Sequence, residues 1–140
     1  MEEDWPLTPF RSVGPLHFGM KRDTVIRTLA EEPVLRATDP VLAETFQGAG
    51  VNVEYDQSGR LLSIEGFDRS VTYLGIRFLG RSVDEVLRDL RDSGLVVNEE
   101  APAGPDVPNL GLRLVVEPER NGTATRVTGV MAVREGYDST

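Results

Sequence analysis

Two short segments bounded by glycine, Gly14-Pro15-Leu16-His17-Phe18-Gly19 and Gly75-Ile76-Arg77-Phe78-Leu79-Gly80, end 61 residues apart, and a helical pattern follows each. Self-similarity of this kind constrains a fold strongly, because both copies must take the same local structure and bury their apolar faces together. After the second segment, Val83, Val86, Leu87 and Leu90 recur at i, i+3, i+4 and i+7, one face of a helix. Shifted back by 61, the last three become Val25, Ile26 and Leu29, which are also apolar. Ser82 with Glu85 three residues on reads as a capping box for the later helix. Ser93-Gly94 reads as its stop. Lys21 stands where Ser82 would map, so the earlier helix has a weaker start, and Pro33 marks its end.

A strand pair follows each helix at the same offset. Val51-Asn52-Val53-Glu54-Tyr55 maps onto Leu112-Arg113-Leu114-Val115-Val116, since Val53 and Leu114 are again 61 apart. Ser58-Gly59 between residues 51–57 and 60–67 signals a two-residue hairpin turn. That turn sets Val53 opposite Ile64 and Tyr55 opposite Leu62. Asn52, Glu54 and Asp56 then share the other face with Leu61, Ser63 and Glu65. The second hairpin joins residues 110–117 to 125–134 through Asn121-Gly122, with Leu110, Leu112, Leu114, Val127, Met131 and Val133 as its apolar face. One mismatch accompanies the repeat. At offset 61 the alternating sets Leu16, Phe18, Met20 and Leu74, Ile76, Phe78 are one residue out of phase, which a β-bulge near Leu79-Gly80 would repair. A short strand fits residues 43–47, and residues 101–109 read as a loop from their proline and glycine content. The expected fold is α+β: two related strand–helix–hairpin units, about 13–67 and 74–134, forming one two-layer domain over 1–140. Its sheet is mostly antiparallel, with both helices on one face.

A chain of 15.4 kDa buries roughly two-thirds of its unfolded surface, enough for a hydrophobic core without staples. With no cysteine, disulfides, thiolate zinc sites and cysteine nucleophiles are excluded. The net charge of −8 is spread along the chain, with 7 basic against 12 acidic residues up to residue 70 and 8 against 11 after it. Such a surface disfavours nucleic acid and anionic membranes, both of which need basic patches. No apolar run approaches a membrane span, and the acidic start Met1-Glu2-Glu3-Asp4 does not resemble a signal peptide. The expected location is therefore cytoplasmic.

Three groups of residues stand out as candidates for function. Glu54, Asp56 and Glu65 lie on the outward face of the first hairpin, where carboxylates serve acid–base chemistry, hold a hard cation or form a solvated strand face. Arg113, Arg126 and Arg134 lie on the outward face of the second, placed to clamp an anionic group or to pair with neighbouring acids. Trp5, with Phe10 and the nearby Pro6 and Pro9, forms an extended lead segment that either packs on the core or anchors a partner. His17 is the sole histidine, which makes no usual zinc site, and no serine sits in a Gly-x-Ser-x-Gly elbow. Gly48-Ala49-Gly50 lacks the lysine and the following helix of a phosphate loop.

The motifs Val13-Gly14-Pro15-Leu16-His17-Phe18-Gly19-Met20, Val51-Asn52-Val53-Glu54-Tyr55-Asp56 with Ser58-Gly59-Arg60, Ile64-Glu65, Val71-Thr72-Tyr73-Leu74-Gly75 and Pro108-Asn109-Leu110-Gly111-Leu112 resemble, together, a family of small uncharacterised two-repeat proteins of actinobacteria over about residues 10–137. The glycine-bounded opening ending in Gly19-Met20, with its following helix, is also similar to the repeat of beta-lactamase-inhibitory protein and of small outer-membrane assembly lipoproteins. That likeness implies binding of other proteins. The expectation is a non-enzymatic protein-binding module, an inhibitor or immunity protein, without cofactor, metal or catalytic residues. Its partner is a protein, in particular a basic one, and self-association is the competing use of the same face. The rival expectation is a small-molecule-binding protein or enzyme that joins these carboxylates and arginines in one pocket.

Overall fold

The computed structural model describes residues 3–101, 104–117 and 125–137. The chain opens with β1 (Trp5–Thr8), β2 (Ser12–Val13) and β3 (Leu16–His17), which lead into α1 (Arg22–Leu29). Next come β4 (Val34–Ala37), β5 (Leu42–Phe46), β6 (Val51–Tyr55) and β7 (Leu61–Gly66). The second half holds β8 (Val71–Tyr73), β9 (Ile76–Arg77), α2 (Val83–Asp92), β10 (Asp106–Val107), a 3-10 turn (Pro108–Leu110), β11 (Leu112–Val116) and β12 (Val127–Val133).

The fold is mixed α+β and mostly sheet, but it has two sheets rather than one. The larger runs β10-β11-β12-β7-β6-β5-β4 and is antiparallel throughout. The smaller runs β3-β2-β1-β8-β9 and contains one parallel pair, β1 with β8. The strand expected to open each half thus joins a separate sheet as a tight hairpin, β2–β3 or β8–β9. These hairpins turn through Gly14 (φ 54°) and through Leu74 and Gly75 (φ 51° and 79°), the positive angles that two-residue hairpins demand. Both sheets and both helices share one apolar cluster that includes Trp5, Leu16, Val25, Phe46, Tyr55, Phe78, Leu90 and Leu114.

The helices follow their sequence pattern unevenly. Val83, Val86, Leu87 and Leu90 of α2 are all buried, whereas in α1 only Val25 is, with Ile26 and Leu29 partly covered. Ser82 occupies the N-cap of α2 without a side-chain capping bond. Ala30, left-handed at φ 52°, ends α1 before Pro33 is reached. The β6–β7 turn spans Asp56 to Gly59 instead of closing at Ser58-Gly59. The Asp56 carboxylate accepts N–H bonds from Ser58 and Arg60 (2.9 and 3.0 Å), and Gly59 at φ 78° completes the turn. A register shift then sets Tyr55 opposite Leu61, not Leu62, and takes Leu61 into the core. A second shift lies in β12: Gly129 faces Val115 and Val127 faces Val116, so Thr128 of β12 has no register partner in β11. This bulge reverses the alternation, so Val130 and Ala132 point to the core while Met131 and Val133 face outward, contrary to the expected apolar face. No shift lies at Leu79-Gly80. The phase slip there arises because five residues separate β9 from α2 and four separate β3 from α1.

One acid points into the core side of the sheet. Glu44 of β5, opposite Val53, is 2% exposed. Its carboxylate receives Nε and Nη2 of Arg22 at 2.9 and 2.7 Å, at the start of α1. Beside it the Tyr55 hydroxyl is fully buried and makes no hydrogen bond of normal geometry. Burial, reinforced by the Glu44 charge, pushes its phenol above the ordinary range. A buried carboxylate loses its hydration, so its stability rests on the bidentate partner. Arg22→Met should therefore destabilise by about 3 kcal/mol, and adding Glu44→Leu should recover most of that loss. Leu87→Ala, at a site 3% exposed, should cost about 2–5 kcal/mol. Denaturant midpoints at constant slope measure all three.

Candidate functional site

The face of the larger sheet turned away from the apolar cluster is built from alternate residues of its strands. Backbone register aligns one residue from every strand into a row: Asp106, Arg113, Met131, Glu65, Asn52, Thr45 and Val34. The next row holds Val133, Ser63, Glu54 and Ala43. Cross-strand neighbours on one face lie about 5 Å apart, so the acids of the first hairpin and Arg113 of the second share a continuous surface.

Within it most polar groups satisfy one another. Ser63 Oγ donates to Glu54 Oε1 at 2.7 Å, and Tyr137 Oη donates to the same oxygen at 3.4 Å. Thr45 Oγ1 donates to Asn52 Oδ1 at 2.6 Å. The Glu65 carboxylate accepts no hydrogen bond among the described residues. It lies over Gly129, where an added Cβ would come within 3.1 Å of Glu65 Oε2. Met131 forms a half-buried ridge between two shallow depressions of about 190 Å³ each. Arg36, Glu54 and Glu65 border one. Phe10, Arg113, Arg134 and Tyr137 border the other. Phe10 itself sits at φ 65°, its ring over Gly111, where a Cβ would approach to 2.7 Å.

Of the residues singled out in the sequence, Glu54, Glu65 and Arg113 are brought together on this face. Asp56 and Arg134 lie at its end and pair with each other, Nη1 to Oδ2 at 2.7 Å, which ties the first hairpin to the second. Arg126 is elsewhere: its side chain reaches the Gly80 carbonyl at 3.3 Å, and its backbone bridges Ser82 ahead of α2. Trp5 is 5% exposed, under the Arg69 guanidinium at 4.7 Å and against Gly14. It is a core residue and not an exposed anchor. His17 is exposed on β3, the margin of the smaller sheet. Asn121-Gly122 lies outside the described residues. Among those residues no three His, Asp or Glu side chains converge as a metal site, and no helix is long and apolar enough to cross a membrane. Sequence reasoning missed Met131, whose outward direction follows from the Thr128 bulge. It also missed Tyr137, which follows the last strand, and Arg36 on the unforeseen β4. No protein-family model, curated protein or solved structure matches the chain.

The Asp56–Arg134 pair gives the site a pH signature. The Arg134 guanidinium, followed by the N–H groups of Arg60 and Ser58, holds the Asp56 carboxyl below its usual range. A depressed folded-state value means that the pair's contribution is complete above the unfolded carboxylate's pKa, about 3.9, and disappears as pH falls through the lower folded value. Arg134→Gln should raise the Asp56 pKa, read by NMR titration, and should flatten the loss of stability below about pH 4.

Proposed function

We propose that this chain is a non-enzymatic protein-binding module that presents the outer face of its seven-stranded sheet to a basic protein partner, as an inhibitor or immunity protein does. The observation that carries this reading is the Glu65 carboxylate, unpaired among the described residues in the middle of a row that crosses all seven strands, beside the half-buried Met131. An acid with no internal partner next to an apolar ridge suits a lysine or arginine whose stem lies on Met131 and whose charge meets Glu65. Seven strands spaced about 4.8 Å apart and about 17 Å long give a projected footprint near 500 Å² before side-chain relief, the right order for roughly 800 Å² per partner. The net charge of −8 favours fast encounter with a cationic protein. The likeness of the glycine-bounded openings to the repeat of beta-lactamase-inhibitory protein points the same way. On this face the rival small-molecule site is disfavoured by size, since its depressions of about 190 Å³ fall below the roughly 300–1,000 Å³ of ordinary ligand pockets; a separate open hollow of about 590 Å³ is bordered by Glu3, Glu31 and Arg69, none of them among the carboxylates and arginines of the two hairpins.

The two halves of the fold are, in this reading, copies of one unit. Their helices start 61 residues apart, at Arg22 and Val83, and their hairpins β6–β7 and β11–β12 meet through β7 and β12 in mirrored order. The hairpins β2–β3 and β8–β9 are 60 apart (Ser12 to Thr72, His17 to Arg77), as one extra residue before α2 requires.

Affinity capture from the source organism, read by mass spectrometry, should return one basic protein at fixed stoichiometry. Glu65→Arg should weaken its binding by about tenfold or more, the range of a close interfacial charge pair. The association rate should fall with salt, and Arg126→Glu should leave the affinity unchanged. A stable partner indifferent to both Glu65→Arg and Met131→Asp would mean that another surface is used.

A further inference from the structure

The larger sheet ends differently at its two margins. At one, β10 is closed by the segment carrying Asn98: its N–H donates to the Asp106 carbonyl at 2.8 Å, and the Asp106 N–H donates back at 2.9 Å. At the other, β4 pairs only with β5, and no strand of the described residues lies beyond it. This open edge carries two of the four exposed large apolar side chains among the described residues, Val34 at 53% and Leu35 at 58%. Neighbouring strand residues point to opposite faces. Val34 belongs to the outer row with Thr45, and Leu35 lies on the side of Glu44. A helix or loop laid on either face would cover one of them; a strand added to the edge covers both.

We propose that β4 is the pairing edge of a symmetric dimer, in which a second copy of this chain adds its own β4 antiparallel about Val34. In that register Val34 faces its own counterpart. Arg36 stands opposite Glu32 of the second copy, and Glu32 stands opposite its Arg36. Arg36 borders the outer-face depression and so lies on the Val34 side. Glu32 precedes β4, and continuing the strand's alternation two residues back from Val34 along the paired edge sets it on that side. Both are exposed, and neither makes an ion pair among the described residues. The two Leu35 side chains become diagonal neighbours on the other face, within reach of each other. The edge is thus complementary to itself in charge and in apolar surface. Pro33 and the register shift between Leu35 and Ala37 keep the ladder to a few rungs, as edges that must not aggregate require. The symmetry closes the assembly: both open edges are consumed, and the two ends of the joined sheet are the closed β10 margins. The dimer does not depend on the proposed partner and leaves the outer faces of both copies free, side by side.

Sedimentation velocity of the full chain, from micromolar to millimolar concentration, tests this. A reversible shift from 15.4 kDa to twice that mass is expected. Arg36→Glu sets like charges opposite at two symmetric positions and should weaken the dimer by about tenfold, as should Glu32→Arg. The double charge swap should restore it. Glu65→Arg should leave the dimer intact, which separates this result from that of the partner-binding face. Near-ultraviolet circular dichroism of the buried Trp5 confirms that each variant is folded. A chain that stays monomeric throughout, a dimer indifferent to the single swaps, or a double swap that fails to restore it would each overturn the proposal.

Discussion

The pairing of β7 with β12 is the interaction on which the rest of the structure depends. Four residue pairs, Gly66–Val130, Glu65–Met131, Ile64–Ala132 and Ser63–Val133, join strands about 65 positions apart in the chain. They turn two local hairpins into one seven-stranded sheet. Ile64 and Ala132 meet on the buried side while Glu65 and Met131 meet on the outer side, so the same ladder closes the core and creates the acid–apolar juxtaposition outside. The loop-closure entropy of so distant a contact must be offset, and the Asp56–Arg134 ion pair helps by tying the hairpins at one end.

What was legible in the sequence was what is local. The β6–β7 hairpin, the apolar face of α2 and the strand around Ala43–Phe46 follow from patterns within about a dozen residues, and all three are present. Even the 61-residue spacing survives at the two helix starts. The errors arise where one residue shifts a period of two. At Leu61-Leu62 and at Thr128 the bulges are set by the partner strand and by turn hydrogen bonding, and strand alternation carries no mark of either. Met131 was assigned to the core for that reason, although it stands at the centre of the candidate face. The strand β4 was missed because four residues, Val-Leu-Arg-Ala, are too few for a period to register.

Burial decides what a charge does in this fold. Glu44 looks like one acid among 23, yet it lies on the core side of β5 and holds the first turn of α1 through Arg22. Such a pair is a weak source of net stability, because desolvation offsets most of the attraction. Its stronger effect is on specificity, since Arg22 satisfies Glu44 from the start of α1 and so fixes which residue of the helix meets β5. The missing cap at Lys21 is thereby less costly than the sequence implies: a long-range contact secures a helix start that no local side chain does. Trp5 shows the converse. An aromatic residue near the start of the chain became core because β1 inserts between β2 and β8 and places the ring against Gly14, where any Cβ would collide at 2.4 Å.

On the candidate face small residues sit low between half-buried neighbours. Ser63 and Ala43, 3% and 6% exposed although on the outer side, are small residues shielded by taller neighbours. Glu54 is held by Ser63 and Tyr137, so its carboxylate is fixed in direction. Glu65, one row away, has no such clasp, and only the absence of a side chain at Gly129 gives it room. The two acids therefore differ physically although they look equivalent in sequence. Glu54 is a structural acceptor whose loss would loosen the face. Glu65 keeps its full capacity to accept a hydrogen bond from a cation and gives up little internal structure in doing so. A recognition residue has to meet that condition, because binding energy spent on breaking an internal bond is not available to the complex.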